Sequence, residues 1–166
     1  MKGTAHLLHG FAGAGKTTFA RRLEQQRSAV RFTHDEWKHK LYGENPTGAE
    51  CADLFARVDG LIWQHALRLL DLGVDVILDH GFWSRQSRDQ ARWRVGDLGA
   101  QAVLYRIQCS QDEMERRVSR RTKDVPCDSL WINQAAVDEF KTRFEPLGSD
   151  EDHVEIDGTQ NRVAGR

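Results

Sequence analysis

The amino-acid sequence predicts an α/β protein whose central sheet is parallel. Short apolar runs typical of strands alternate with amphipathic runs typical of helices along the whole of the 166 residues. The chain carries no internal repeat, no low-complexity tract and no linker rich in Pro, Gly or Ser. Its length fits one compact domain, since single domains commonly have about 100 to 200 residues. We therefore expect βαβ units forming a single domain over residues 1–166.

The first predicted strand, residues 4–9, runs into a glycine-rich segment. Residues 10–17 read G-F-A-G-A-G-K-T, which matches the phosphate-binding pattern G-x-x-x-x-G-K-[ST] at every fixed position. Such glycines let backbone N–H groups surround a phosphate, and the following helix adds the positive end of its dipole. Lys16 is expected to reach the β- and γ-phosphate oxygens, and Thr17 to ligate Mg²⁺. The candidate nucleotide-binding residues are Gly10, Ala12, Gly13, Ala14, Gly15, Lys16, Thr17 and Thr18.

The remaining elements follow from apolar runs and capping signals. Further strands are predicted at residues 29–33, 74–79, 102–107 and 153–157. An apolar stripe at helical spacing predicts a helix over residues 49–72, ended by Gly73. Ser84 and Ser110 can each cap a helix, which predicts helices over residues 84–98 and 110–121. A short helix is expected at residues 36–41 and a last one at about residues 129–144, before Pro146.

Polar residues follow the second and third strands, where ligands of open parallel sheets bind. Asp35 is our candidate for the general base that accepts the proton of a substrate hydroxyl, and the alternative is a helix N-cap. Lys38, one turn later, is a candidate for holding the acceptor or the phosphoryl group, with a solvated lysine as the alternative. Asp79 is a candidate for holding Mg²⁺ through water or for fixing a substrate group, and the alternative is a turn residue at the strand end. His80 beside it either orients the substrate or is structural.

An arginine cluster near the end of the predicted helix 110–121 borders a segment that resembles a lid, at about residues 117–130. Arg117 and Arg121 are four residues apart and share a helix face, so both could contact the phosphates of the nucleotide or stack on its base when the lid closes, and we expect both to take part in catalysis. The alternative is a solvated face that pairs with neighbouring carboxylates.

A second arginine group is the one sequence feature that hints at nucleic acid. It combines basic residues with two tryptophans that could stack on bases, and it comprises Arg85, Arg88, Arg92, Arg94, Trp83 and Trp93. The alternative is an ordinary exposed helix face with Trp93 turned inward. Arg85 is also a candidate for binding the substrate.

The composition of the chain bears on which partners, metals and cellular compartments are expected. The net charge of −1 gives no global attraction to nucleic acid or to an anionic membrane. The 3 cysteines form no C-x-x-C pair and the 7 histidines no H-x-x-x-H pair, so we expect neither disulfides nor a catalytic transition metal, and Mg²⁺ with ATP instead. No apolar run approaches the roughly 18 residues that span a bilayer, and no apolar leader precedes the first strand, which predicts a soluble cytoplasmic protein.

The acidic run at residues 150–152 is expected to be a solvated turn.

The arrangement resembles the P-loop kinases of the nucleoside-monophosphate-kinase-like group. These include small ATP-binding proteins labelled AAA-family ATPases, with zeta-toxin-like, chloramphenicol-phosphotransferase-like and polynucleotide-kinase-like members. The resemblance covers about residues 4–157 and rests on residues 10–18, the turn at 33–35, the run at 77–82, and Arg117 with Arg121. It implies a three-layer α/β/α fold with strand order 2-3-1-4-5, ATP as donor, and a lid arginine near the phosphates.

We therefore expect an ATP-dependent kinase that transfers the γ-phosphoryl group of Mg·ATP to a hydroxyl of a small molecule. One alternative is a 5′-hydroxyl polynucleotide kinase, although such kinases carry an arginine where this chain has Lys38. Another is an ATP-dependent switch that moves its lid for a protein partner.

Overall fold

The computed structural model of the protein describes residues 1–42, 49–123 and 141–159. Its strands are β1 (Thr4–His9), β2 (Val30–Thr33), β3 (Val76–Gly81), β4 (Gln101–Gln108) and β5 (Val154–Asp157). They form one sheet in the order β2-β3-β1-β4-β5, and every neighbouring pair is parallel. The predicted α/β class, the five-stranded parallel sheet and the strand order are confirmed.

The helices connect the strands, as parallel pairing requires. They are α1 (Lys16–Arg27), α2 (His34–Tyr42), α3 (Ala49–Asp71), α4 (Arg85–Asp97) and α5 (Gln111–Lys123). The side chain of Ser84 caps α4 by accepting a hydrogen bond from the Ser87 amide at 3.1 Å, as predicted. Most of the predicted helix 129–144 lies outside the described residues. Of its described part, residues 141–143 are helical.

Two boundaries near the sheet edge differ from the prediction. The third strand is β3 at Val76–Gly81 rather than residues 74–79. The helix predicted at residues 36–41 begins at His34, so Asp35 lies in its first turn instead of capping it. The carboxylate is still placed near the positive end of that helix.

Helices cover both faces of the sheet. One apolar core contains Leu7, Leu78 and Leu104 of the strands packed against residues of α3 and α4. The other contains Leu8 and Ile77 packed against residues of α1. Because successive strand residues point to opposite faces, neighbours such as Leu7 and Leu8 enter different cores. The buried sheet is a rigid platform for the loops at its carboxyl edge.

The arginine-rich face of α4 differs from both sequence expectations. Arg88 is 0% exposed and shares the inner side of the helix with the buried Ala91 and Val95, at helical spacing. Trp93, which was expected to turn inward, is 69% exposed because its position falls on the outer side. The prediction of an exposed Arg88 beside a buried Trp93 is therefore wrong.

The partner of that buried arginine is Glu151, the middle residue of the acidic run at residues 150–152. Glu151 is 4% exposed, and its two carboxylate oxygens accept hydrogen bonds from Nε and a terminal nitrogen of Arg88, each at 2.8 Å. Arg92 donates to the same carboxylate at 2.9 Å. Asp150 and Asp152 are exposed, as expected of a solvated turn, but Glu151 is not: it attaches the C-terminal segment to α4 through a buried ion pair.

Among the described helices, none combines the length and the apolar character needed to cross a membrane.

Candidate active site

The phosphate-binding pattern forms the connection between β1 and α1. Gly15 precedes the first residue of α1 with φ of 103°, a left-handed conformation that glycine adopts without steric cost. Because Gly15 has no side chain, it makes no side-chain cap hydrogen bond to the first N–H groups of α1. Ala12 and Ala14 are buried under the loop, whereas Thr18 is exposed on α1. This geometry suits an anion at the helix N-terminus.

Lys16 lies folded over the loop. Its Nζ donates hydrogen bonds to the carbonyl oxygens of Gly10 at 2.9 Å and Phe11 at 3.0 Å. The same Gly10 carbonyl accepts a bond from Nε1 of Trp83 at 2.9 Å, which links the loop to the segment after β3. The ammonium group is therefore held at the loop, next to the carboxyl edge of the sheet.

Asp79 lies at the centre of the site. It is buried on β3, and burial raises the pKa of its carboxyl group, while the charge of Lys16 and a hydrogen bond from the Thr17 hydroxyl act in the opposite direction. The structure thus brings the two predicted metal ligands, Thr17 and Asp79, into hydrogen-bond contact. Oxygen donors of this kind suit Mg²⁺.

A second set of contacts supports Asp79 from β2, and the sequence analysis missed it. The Thr33 hydroxyl lies 3.5 Å from Oδ2 of Asp79, and Arg31 donates a hydrogen bond to that hydroxyl. The charge of Arg31 also lowers the pKa of Asp79. Parallel pairing of Thr33 with Asp79 produces this contact, so only knowledge of strand order and register could have revealed it.

Asp35 and Lys38 lie together at the start of α2. Lys38 is 6% exposed, its Nζ is 3.3 Å from Oδ1 of Asp35, and it lies 4.0 Å above the ring of Phe55. The alternative of a solvated lysine is therefore wrong. Asp35 is partly exposed, and its charge raises the pKa of Asp79. The candidate base thus lies near the candidate metal ligand.

Arg117 contacts the outer side of the phosphate loop. Its Nε donates to Glu113 at 2.7 Å, and one terminal nitrogen donates to the carbonyl oxygens of Gly13 at 3.3 Å and Gly158 at 3.1 Å. These bonds orient the guanidinium group beside the loop. The side chain of Arg121 and the lid residues from 124 to 130 lie outside what the structure describes.

Arg85 and His80, the other predicted substrate contacts, have different surroundings. Arg85 is exposed and forms ion pairs of 2.8 Å with Asp89 and with Asp150, so it attaches the C-terminal segment to α4. His80 packs its ring 4.2 Å from that of His34, and burial lowers the pKa of His80 well below its ordinary value. The lowered pKa favours the neutral imidazole, which directly follows Asp79 on β3.

Comparisons with known proteins agree with this architecture. A family model described as an AAA domain matches residues 6–147. No curated protein matches the chain. Among solved structures, Kti12 of Chaetomium thermophilum in complex with ADP-AlF3 is 16% identical with a TM-score of 0.74, and the match covers 92% of this chain and 88% of that one.

Two further structures are similar. The APS kinase CysC of Mycobacterium tuberculosis, in complex with AMPPNP and APS, is 16% identical with a TM-score of 0.67, covering 98% of this chain and 91% of that one. A chain of the Pnkp1/Rnl/Hen1 RNA repair complex is 20% identical with a TM-score of 0.70, covering 86% of this chain and 44% of that one. At these identities the similarity shows a shared fold, which is that of P-loop kinases.

Proposed function

The chain belongs to the AAA domain family, and we propose that it is an ATP-dependent phosphotransferase that moves the γ-phosphoryl group of Mg·ATP to a hydroxyl of a small molecule. One observation carries the proposal. The Asp79 carboxyl group accepts a hydrogen bond from Thr17. Burial raises its pKa, the nearby charge of Lys16 lowers this pKa, and that of Asp35 raises it. The same edge of the sheet therefore holds the cation Lys16, the candidate base Asp35, and two candidate ligands of the metal ion, Thr17 and Asp79. Phosphoryl transfer requires these three kinds of group together.

The loop and the N-terminus of α1 would hold the donor. Bound Mg·ATP would supply the transferable phosphoryl group and neutralise part of its charge. Lys16, held at the loop by Gly10 and Phe11, would stabilise charge that develops on the transferring group. Thr17 and Asp79 would hold the metal ion, since a hydroxyl and a carboxylate are oxygen ligands that Mg²⁺ accepts.

Asp35 would act as the base on the acceptor side. A carboxylate within reach of the acceptor hydroxyl can take its proton as the oxygen attacks phosphorus. Lys38 lies 3.3 Å from Asp35 and would orient the carboxylate and the acceptor. His80, neutral and close to Asp79, would contact the acceptor. Arg117 and Arg121 would approach the phosphates on lid closure, and Glu113 would orient Arg117 for that role.

Replacement of Asp35 tests the proposed base. We expect Asp35→Asn to bind ATP as the wild type does and to lose about 10²- to 10⁴-fold in transfer, the usual contribution of a general base. The measurement is transfer of labelled γ-phosphate to a panel of sugars, nucleosides, hydroxylated antibiotics and a 5′-hydroxyl oligonucleotide, with ATP affinity measured separately.

Asp53→Asn is the matched control, because Asp53 is an exposed carboxylate in α3 that pairs with Arg57 at 2.8 Å. It should transfer phosphate at the wild-type rate. Transfer by Asp35→Asn near the wild-type rate would refute the base assignment. Labelling of the oligonucleotide alone would favour the polynucleotide alternative, and the absence of any labelled acceptor despite ATP binding would favour the switch.

Gly158 offers a test of the donor site that leaves all the proposed catalytic side chains in place. Its amide donates to Gln108 at 2.8 Å, and a Cβ at this position would overlap the carbonyl oxygen of Ala14 in the phosphate loop. We expect Gly158→Ala to displace the loop and to weaken ATP binding by about tenfold, because overpacking costs about 1–3 kcal/mol and tenfold in affinity is about 1.4 kcal/mol.

Gly60→Ala in α3 is the control, because an added Cβ there meets no described atom within 4 Å. Isothermal titration of each variant with a non-hydrolysable ATP analogue measures the effect. Equal affinity of both variants and the wild type would show that β5 and its following turn do not support the phosphate loop.

A further inference from the structure

Three side chains with metal-ligating atoms meet near the carboxyl edge of the sheet. They come from separate elements: His34 begins α2, Asp59 lies in α3, and His80 is the penultimate residue of β3. One ligand atom from each lies within 4.8 Å of the others. Nε2 of His34 is 3.3 Å from Oδ1 of Asp59, and the rings of His34 and His80 are 4.2 Å apart between centroids.

The histidine nitrogens lack the partners that buried polar atoms normally have. His34 is 4% exposed, and neither of its ring nitrogens has a hydrogen-bond partner among the described residues, nor does the buried Nδ1 of His80. The 3.3 Å approach of Asp59 to His34 is a close charge contact without hydrogen-bond geometry. Leaving a buried polar atom unsatisfied costs about 1–3 kcal/mol, so a ligand that engages one nitrogen of each ring would relieve part of this cost.

We propose that His34, Asp59 and His80 bind a divalent transition-metal cation, for which Zn²⁺ is the probe. Two ligand atoms each about 2.0–2.1 Å from a tetrahedral zinc ion lie about 3.3–3.4 Å apart, which is the separation found between His34 and Asp59. Two imidazoles and one carboxylate form a common donor set that leaves coordination positions open.

The surroundings fit a metal centre. The ring of Phe55 lies 5.4 Å from that of His34, and the ring of Phe82 lies 4.1 Å from that of His80, so aromatic groups cover the histidines. Arg94 lies 4.0 Å from Oδ2 of Asp59. Arg94 thus contacts one oxygen of Asp59, and the other oxygen, Oδ1, faces His34. In metal sites, residues behind the ligands commonly orient them by contacts of this kind.

This site is distinct from the proposed magnesium site at Thr17 and Asp79. Its donors include two nitrogens, which favour zinc and related cations, whereas the magnesium site offers oxygen alone. The bound cation would join α3 to the carboxyl edge of the sheet. The sequence contains no H-x-x-x-H pair that would predict the site, because its ligands are distributed over three elements. As a ligand of this cation, His80 would take that role in place of the direct acceptor contact proposed above. Zinc binding is measured without the transfer reaction, so the two proposals fail separately.

The experiment is a zinc titration of the full chain, read by competition with a chromogenic chelator, in a buffer with excess Mg²⁺ that occupies oxygen-ligand sites. We expect a single tight zinc site in the wild type. His34→Gln and His80→Gln should each weaken zinc binding by more than about 100-fold, since even outer-shell changes cost about 10- to 100-fold.

His65→Gln is the matched control, because His65 lies on the exposed side of the same helix as Asp59 and outside the cluster. It should bind zinc as the wild type does. Asp59→Asn, which alters the least buried ligand, gives a further test should a histidine variant not fold. In addition, Co²⁺ should give visible d–d absorption in the wild type and in His65→Gln alone. Zinc affinity that is equal in all variants, or too weak to compete with the chelator in the wild type, would overturn the inference.

Discussion

Lys16→Ala is expected to lower the rate of phosphoryl transfer by at least about 100-fold. Removal of one preorganised group that stabilises transition-state charge commonly costs about 10²- to 10³-fold in kcat. In the structure the Lys16 ammonium contacts the carbonyl oxygens of Gly10 and Phe11 and lowers the pKa of Asp79. The substitution therefore removes positive charge from the place where the transferring group would lie.

The fold should survive this substitution. The Gly10 carbonyl keeps its hydrogen bond from Trp83 at 2.9 Å, and Lys16 is the first residue of α1, where alanine is a good helix former. The measurement is kcat and KM for ATP with the acceptor identified in the panel, together with thermal unfolding. Lys40→Ala, which removes an exposed lysine paired with Glu36, is the control. Near wild-type kcat in Lys16→Ala would rule out this loop as the donor site.

Sequence patterns predicted the features that depend on short, contiguous segments of the chain, namely the phosphate loop and the strands of the sheet. The glycines and Lys16 of the phosphate loop form a contiguous motif, and the alternation of apolar runs determined the parallel sheet. The strand order came from the resemblance to P-loop kinases. The placement of Asp35 and Asp79 at one edge then follows from parallel strands alone.

The missed features depend on residues far apart in the chain. Arg88 and Glu151 are 63 positions apart, and nothing in the local sequence of either predicts their pairing. Both residues belong to charged runs that usually lie in water, so the hydrophobic pattern assigned them to the surface. Likewise, His34, Asp59 and His80 meet only because α2, α3 and β3 are neighbours in the fold.

Arg88→Met should destabilise the fold more than any surface substitution in α4. Arg88 is fully buried and makes a bidentate ion pair with Glu151, and it also donates to the carbonyl oxygens of Phe82 at 3.1 Å and Trp83 at 3.0 Å. Its loss leaves a buried carboxylate whose guanidinium neighbours are Arg92 at 2.9 Å and Arg85 at 3.8 Å. Removing one partner of a buried ion pair commonly costs about 3–5 kcal/mol, and we expect a loss of this size in urea unfolding at neutral pH.

The pH dependence of stability separates the ion pair from simple packing. Hydrogen bonds from Arg88 hold the pKa of Glu151 well below its ordinary value of 4.5. A carboxyl group with a lowered folded-state pKa stabilises the protein above its unfolded-state pKa, and this contribution is lost as the pH falls towards the folded-state value. The wild type should therefore lose stability below about pH 4.5, and Arg88→Met should show a weaker dependence in that range.

Arg85→Gln is the matched control for the ion pair, since it removes a more exposed arginine of the same helix that pairs with Asp150 at 2.8 Å and lies only within 3.8 Å of Glu151. Exposed pairs contribute little because water screens them, so this variant should unfold close to the wild type. If Arg88→Met unfolds like Arg85→Gln, the C-terminal segment is not anchored through Glu151. A large loss confined to Arg88→Met instead means that this buried charge helps to fix the turn after β3, whose Trp83 donates to the phosphate loop at Gly10. Stability of the core and geometry of the donor site would then depend on the same arginine.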